Sequence, residues 1–313
     1  MRLVFMGTPD FAAECLKALI KSRMEIAAVF TKEDKPVGRG HRIAASPVKE
    51  MACSAGIPVF QPHRVKDDES FRILSEIRPD LIVVAAYGQI IPQRILDLPQ
   101  YGCINVHASL LPAYRGAAPI QWAVINGEKE SGVTIMQMGA GLDTGDMIAK
   151  RTVTLTPEET GGSLFERLSR EGADLLVETI PKIPAGRIRR EKQPEESTTM
   201  YARMIRKSDG AIDWNADAVT IERLIRGLNP WPSAYSSLDG KQVKFWAASV
   251  SSEESGRVPG SVFAVDKNGF SVQTGNGSLR ILELQMTGKK RMTADAFLRG
   301  HAFSGDERFV TES

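Results

Sequence analysis

Leu81-Ile82-Val83-Val84-Ala85-Ala86 decides the fold class. Every side chain in this stretch is apolar, so neither face of a strand built from it is suited to water. A strand with one wet face alternates apolar and polar residues, whereas a strand in a helix-covered parallel sheet does not. Working outward, short apolar runs keep alternating with helix-like segments. Residues 3–6 and 26–30 read as strands, and 11–20 as an amphipathic helix. Residues 47–55 read as a helix with Ser46 as N-cap and Pro47 at its first position. Residues 59–60 form a short strand and 69–77 a helix. After the deciding stretch come a strand at 103–107, a helix at 120–125, a strand at 133–138 and a long helix at 164–183. This order predicts an α/β fold, a doubly wound parallel sheet whose ligands bind beyond the carboxyl ends of its strands.

The C-terminal third changes character. One helix is expected around 218–225, ended by Asn229-Pro230-Trp231-Pro232, because proline cannot continue it. Short strands follow at 243–246, 260–265, 270–274 and 279–284, separated by Asp239-Gly240, Lys267-Asn268-Gly269 and Gly275-Asn276-Gly277. Strands at this spacing predict a small, OB-like β-barrel. The expected domains are therefore 1–181, a linker at 182–208, and 209–313.

Composition narrows the classes. The chain has 313 residues, enough for one large or two ordinary domains, and its 42% hydrophobic and 25% charged content is that of a globular protein. It has no apolar run of about 18 residues, so no membrane helix is expected. Met1-Arg2-Leu3-Val4-Phe5-Met6-Gly7 reads as a first strand rather than a leader. The unpaired spacing of Cys15, Cys53 and Cys103 fits a cytoplasmic location and argues against a disulfide frame. Net charge is +2, yet residues 182–208 carry eight basic and three acidic residues, a local +5. Such a stripe fits a phosphate backbone or, more plainly, a solvated linker.

The stretch Asn105-Val106-His107-Ala108-Ser109-Leu110-Leu111-Pro112 carries the candidate chemistry. On a strand end, Asn105 and His107 project to one side. Asp143, in the loop Gly139-Ala140-Gly141-Leu142-Asp143-Thr144-Gly145-Asp146, can reach the imidazole. An amide, an imidazole and a carboxylate together move protons and hold an oxyanion. The competing reading is a structural histidine. His41, His63 and His301 have no such company. Tyr114-Arg115-Gly116-Ala117-Ala118-Pro119 continues the loop, with small residues that permit close approach of a flat ligand or of the acid loop. Gly7-Thr8-Pro9-Asp10-Phe11 lacks the later glycines of a dinucleotide fingerprint. No phosphate-binding glycine loop and no clustered histidine set is present, so no metal is expected. Lys35-Pro36-Val37-Gly38-Arg39-Gly40-His41-Arg42 is a basic, glycine-spaced loop, either solvated or built for phosphates and splayed bases.

These strings, together with Val4-Phe5-Met6-Gly7-Thr8-Pro9-Asp10-Phe11-Ala12-Ala13, Gly132-Val133-Thr134-Ile135-Met136-Gln137-Met138 and Ile212-Asp213-Trp214, make the chain resemble the methionyl-tRNA formyltransferase family along its whole length. The Asn–x–His and distant Asp core is shared more widely among folate-dependent formyltransferases. Ala108 stands where this family often has glycine. The resemblance implies 10-formyltetrahydrofolate as formyl donor and initiator methionyl-tRNA as acceptor. It implies Asn105, His107 and Asp143 as catalytic residues. It implies a folate pocket lined by Ser109, Leu110, Leu111 and Pro112 with Ala86, Tyr87, Gly88, Ile90 and Ile91. It implies tRNA contacts from Arg39, Arg42, Arg206 and Lys207. A monomer is expected. Three alternatives remain open at this point. They are a formyltransferase for an amino-sugar nucleotide, a formyltetrahydrofolate hydrolase, and a tRNA-binding module with an inactive enzyme domain.

Overall fold

The computed structural model describes residues 1–37, 42–253 and 255–311, and it divides into two compact units. The first contains residues 1–119, 130–154 and 165–202; the second contains 120–129, 155–164 and 203–313.

In chain order the elements begin with β1 (Arg2–Gly7), α1 (Asp10–Lys21), β2 (Glu25–Phe30), β3 (Lys35–Val37) and β4 (Arg42–Ala44). Next are α2 (Pro47–Ser54), β5 (Val59–Phe60), α3 (Asp68–Ile77), β6 (Leu81–Ala85) and α4 (Gln93–Leu96). Then come β7 (Cys103–His107), α5 (Pro119–Ile125), β8 (Glu130–Gln137), β9 (Met147–Thr154) and α6 (Gly161–Thr179). The main sheet has the order β5-β2-β1-β6-β7-β8-β9. Its first five strands are parallel, and β8 and β9 add to that edge in antiparallel fashion. β6 is buried at every position, which is why its sequence shows no alternation.

Helices cover both faces. Val4, Met6, Ile82 and Val84 share a core with Leu74 of α3 and Ile95 and Leu96 of α4. On the other face Phe11 of α1 meets Phe165 of α6 edge-on, with ring centroids 6.1 Å apart. Ser46 caps α2 by accepting the Lys49 N–H at 3.1 Å, as its position ahead of Pro47 predicts. β9 and the β3–β4 hairpin were not legible as strands. β9 is half-exposed and lies at the sheet edge, so neither burial nor strict alternation marks it.

The second unit contains α7 (Ala218–Gly227), β10 (Ala234–Leu238), β11 (Lys241–Ser251), β12 (Val262–Asp266), β13 (Gly269–Gln273), β14 (Ser278–Met286), β15 (Met292–Thr293) and α8 (Ala294–Leu298). Its antiparallel sheet runs β10-β11-β14-β13-β12, with β15 beside β14. The tail joins the two edges of this sheet. Val310 exchanges backbone hydrogen bonds with Ser237 of β10, and Phe309 donates to Gly260 ahead of β12. Phe245, Phe270, Phe309 and Trp214 pack together in its core. Among the described residues no helix is long and apolar enough to cross a membrane.

Candidate active site

β7 lies between β6 and β8 and ends at the carboxyl edge of the parallel strands. Its two-residue period sends Asn105 and His107 to one face, while Val106 is buried on the other. His107 is only 6% exposed. Its Nε2 lies 3.0 Å from the Tyr114 carbonyl oxygen. A carbonyl only accepts, so Nε2 carries the ring hydrogen and Nδ1 is left as the basic nitrogen. Nδ1 faces Asp143 Oδ1 at 3.7 Å, beyond hydrogen-bond reach but well placed to attract an imidazolium.

Asp143 is 9% exposed, and its Oδ2 accepts the Gly116 backbone N–H at 3.0 Å. That bond compensates part of the cost of burying a carboxylate and turns the other oxygen towards the ring. Gly116 has φ +127°, and a Cβ there would sit 2.6 Å from the Ala202 carbonyl oxygen. Only glycine lets the backbone pass this close to Ala202 while its N–H reaches the acid. Asn105 is half-buried, and its amide makes no hydrogen bond among the described residues. An amide kept free beside a fixed imidazole is a donor available to a developing oxyanion.

The surrounding loops are strained. Ala86, Tyr114 and Asp143 take left-handed backbone conformations with φ of 43°, 55° and 53°. Such non-glycine residues cluster where surrounding structure holds a functional geometry. Thr134 of β8 ties the loop after β7. Its hydroxyl donates to the Ser109 carbonyl at 2.7 Å and accepts the Leu111 N–H at 3.1 Å.

The expected pocket residues divide into two groups. Ser109 is buried and its hydroxyl is committed to the Ala113 carbonyl at 2.6 Å. Leu111 is buried against Met136 and Met147, and Tyr87 and Ile91 belong to the core beneath the sheet edge. Leu110 and Pro112 are half-buried, while Ala86 and Gly88 are exposed and Ile90 is 88% exposed. Of the nine, Leu110, Pro112, Ala86, Gly88 and Ile90 therefore present surface to solvent.

A cleft of about 500 Å³ opens at the carboxyl ends of β2, β5 and β6. Lys32, Lys35, Arg64 and Lys66 line it, with Gly88, Gln89 and Ile90 along one wall. Gln89 ties the walls together by accepting the Val65 N–H at 2.7 Å and donating to the Pro62 carbonyl at 3.2 Å. Burial, and then the charge of Lys35, holds the Lys32 ammonium below its usual range. Among the described residues the one carboxylate lining it, Glu33, pairs with His63. The cleft therefore favours an anion.

Arg39 lies outside the described residues, and of Arg42 only the backbone is described, paired with Val37 in the β3–β4 hairpin. Arg206 and Lys207 are exposed in the second unit at the start of a short 3-10 turn. Burial pushes the Cys15 and Cys103 thiols up to about 12, so neither offers a thiolate. No group of three or more metal-ligating side chains occurs among the described residues.

Sequence reasoning missed Gln193. This buried amide donates to the Asp143 carbonyl at 2.9 Å and to the Gly145 carbonyl at 2.7 Å. It lies 50 residues from Asp143 in a polar stretch with no periodic signal, and only the fold brings the two together.

Residues 1–180 match the formyl transferase family and residues 204–302 match the formyl transferase C-terminal domain. The methionyl-tRNA formyltransferase of Agathobacter rectalis is 54% identical over 300 residues, covering 96% of each chain. That of Geobacter metallireducens is 50% identical, again over 96% of each. Among solved structures, the sugar 3N-formyl transferase WlaRD, determined with dTDP and 5-N-formyl-THF, has a TM-score of 0.66 at 20% identity and covers 93% of this chain and 99% of its own. HypX from Aquifex aeolicus in complex with tetrahydrofolic acid gives 0.63 at 19% identity, covering 95% of this chain and 47% of its own.

Proposed function

The chain belongs to the formyl transferase family, and from that premise we infer that it transfers the formyl group of 10-formyltetrahydrofolate to the α-amino group of methionyl initiator tRNA. The product is N-formylmethionyl-tRNA for translation initiation in the cytoplasm. Full-length similarity at about half identity to methionyl-tRNA formyltransferases supports this acceptor. The observation that carries the chemistry is the pairing of a free Asn105 amide with a His107 ring fixed by the Tyr114 carbonyl.

The donor supplies an N-formyl carbon open to attack by an amine. Asn105 donates its amide hydrogen to the formyl oxygen as negative charge gathers there. Losing one such donor costs on the order of 10²–10³ in rate. His107 Nδ1, the ring nitrogen not engaged by Tyr114, takes the proton that the attacking amine must lose. Asp143 lies 3.7 Å from that nitrogen and stabilises the imidazolium so formed. The proton then returns to the departing folate nitrogen as its bond to the formyl carbon breaks. No bond to the protein forms at any stage.

Ala86, Gly88, Ile90, Leu110 and Pro112 are the accessible candidates for folate contact. The cationic cleft beside Gly88 and Ile90 suits an anionic substrate. Arg39 and its loop, with Arg42, are assigned to the tRNA acceptor arm, and Arg206 and Lys207 to the tRNA phosphate backbone. The test is direct. The purified protein is incubated with formyl donor and charged initiator tRNA, and N-formylmethionine is sought on the tRNA. Formate release without acceptor, or formylation of an amino-sugar nucleotide in place of the tRNA, would overturn the assignment.

A further inference from the structure

Residues 191–202 form a strap that stitches the two site loops together. Glu191 pairs its backbone with Met147 through hydrogen bonds of 2.8 and 2.9 Å. Gln193 donates to the carbonyls of Asp143 and Gly145. Its Oε1 accepts from Arg115 Nε at 3.1 Å, so the amide is bonded through both ends and its orientation is fixed. Arg115 is 8% exposed and spends its other two nitrogens on the strap, donating to Glu195 O at 2.8 Å and Pro194 O at 2.7 Å. Farther along, Ser197 Oγ donates to the Pro112 carbonyl at 2.7 Å, and Thr199 Oγ1 accepts the Tyr114 N–H at 2.7 Å. Ala202 closes the strap by donating to the Arg115 carbonyl and accepting from Ala118 N–H.

This arrangement bears on chemistry because of what it fixes. Tyr114 holds His107, and Gly116 holds Asp143. Both are neighbours of Arg115 on one loop. Asp143 is strained at φ +53° on the other loop. Gly145 is seated so tightly that a Cβ on it would lie 1.7 Å from the Gln137 carbonyl oxygen. Ser197, Thr199 and Arg115 join the strap to the Tyr114 loop, and Gln193, bonded to Arg115, carries the connection on to Asp143 and Gly145.

We propose that Gln193 and Arg115 are positioning residues for formyl transfer: through the strap they hold Asp143 in register with His107 and so set the turnover rate. The proposal rests on His107 and Asp143 being the catalytic pair. Neither Gln193 nor Arg115 touches reacting atoms; each acts through Asp143. Misplacing a catalytic group by about 1 Å costs up to roughly 10²-fold.

The test is a double-mutant cycle on the full chain. Gln193→Ala should lower kcat about tenfold to a hundredfold, with KM for both substrates changed by less than about twofold. Gln193→Glu keeps the side-chain length and the acceptor for Arg115 but loses both donated bonds. It should show the same loss and guards against a folding defect in the alanine variant. Asp143→Asn alone tests the catalytic assignment, and undiminished kcat there would overturn that assignment and the proposal with it. If Asp143→Asn is slow, Gln193→Ala/Asp143→Asn should be no slower than Asp143→Asn. Multiplying losses, or wild-type kcat in both Gln193 variants, would overturn the positioning role while leaving the catalytic assignment standing.

Discussion

Asp143 Oδ1 stands 3.7 Å from His107 Nδ1, while Asp143 Oδ2 is held by the Gly116 N–H at 3.0 Å. The carboxylate is thus anchored at one oxygen and poised at the other. Asp143→Asn keeps shape but replaces the negative charge that an imidazolium needs. Its kcat should fall by about 10²–10⁴-fold, with tRNA affinity unchanged. Single-turnover rates at saturating donor measure this directly. A variant within about threefold of the parent would mean that Asp143 only shapes its loop.

Glu307 should make the second unit sensitive to acid. Burial raises its carboxyl pKa, but hydrogen bonds from the Ser304 N–H, the Gly305 N–H and the Ser304 hydroxyl outweigh that and bring it down to about 2 from 4.5. A group with a depressed folded pKa stabilises the fold above its unfolded value, and that stability is lost as pH falls through the folded one. Glu307→Gln should therefore be less stable than the parent at pH 7. The gap should shrink between about pH 4.5 and 2. Urea denaturation at a series of pH values reads it. A gap that persists undiminished at pH 2 would show that lost packing, not charge, is responsible.

Phe309 fastens the tail. It is 1% exposed, with its ring centroid 5.2 Å from Phe245 and 5.7 Å from Trp214. Its backbone lies between the two strand edges that the tail bridges. Phe309→Ala should cost about 3–5 kcal/mol, the range for emptying a buried aromatic site. Tryptophan fluorescence in urea follows the loss, because Trp214 lies against the same ring. An unchanged midpoint would show that the tail is dispensable to this core.

How much of this was legible depended on how locally each feature is encoded. β6 and Ser46-Pro47 announce themselves by burial pattern and cap chemistry. Asn105 and His107 are legible because two-residue spacing at a strand end has only one geometric outcome. β8 is legible as a strand at 133–138, but its antiparallel direction is not, since strand direction depends on pairing partners rather than on the strand's own residues. The strap was least legible. Arg115 and Gln193 are 78 residues apart, and neither has a local pattern that marks it as buried. That Ser109 and Leu111 are buried was not legible, because their partners Ala113, Met136 and Met147 are set by the fold.

The tRNA assignment of Arg206 and Lys207 makes a prediction separable from all the above. Both are exposed, and the neighbouring Asp209 is already occupied. Its carboxylate accepts from Arg203 Nη1 at 2.8 Å and Nη2 at 2.7 Å, and from the Arg206 N–H at 2.6 Å. Hydrogen bonds from Arg203 hold it below the usual carboxylate range, so it stays charged but is spoken for. Each lysine or arginine that neutralises a phosphate releases counterions, which steepens the salt dependence of binding by about one unit of log–log slope. Arg206→Ala/Lys207→Ala should flatten that slope by about two units and raise KM for tRNA. KM for the folate donor and kcat at saturating tRNA should not move, because neither residue is assigned to the reacting groups. Filter binding of initiator tRNA across a salt series gives the slope, and steady-state kinetics give the split. A slope unchanged in the double variant would remove both residues from the tRNA interface. A raised folate KM would mean that they act on the donor instead.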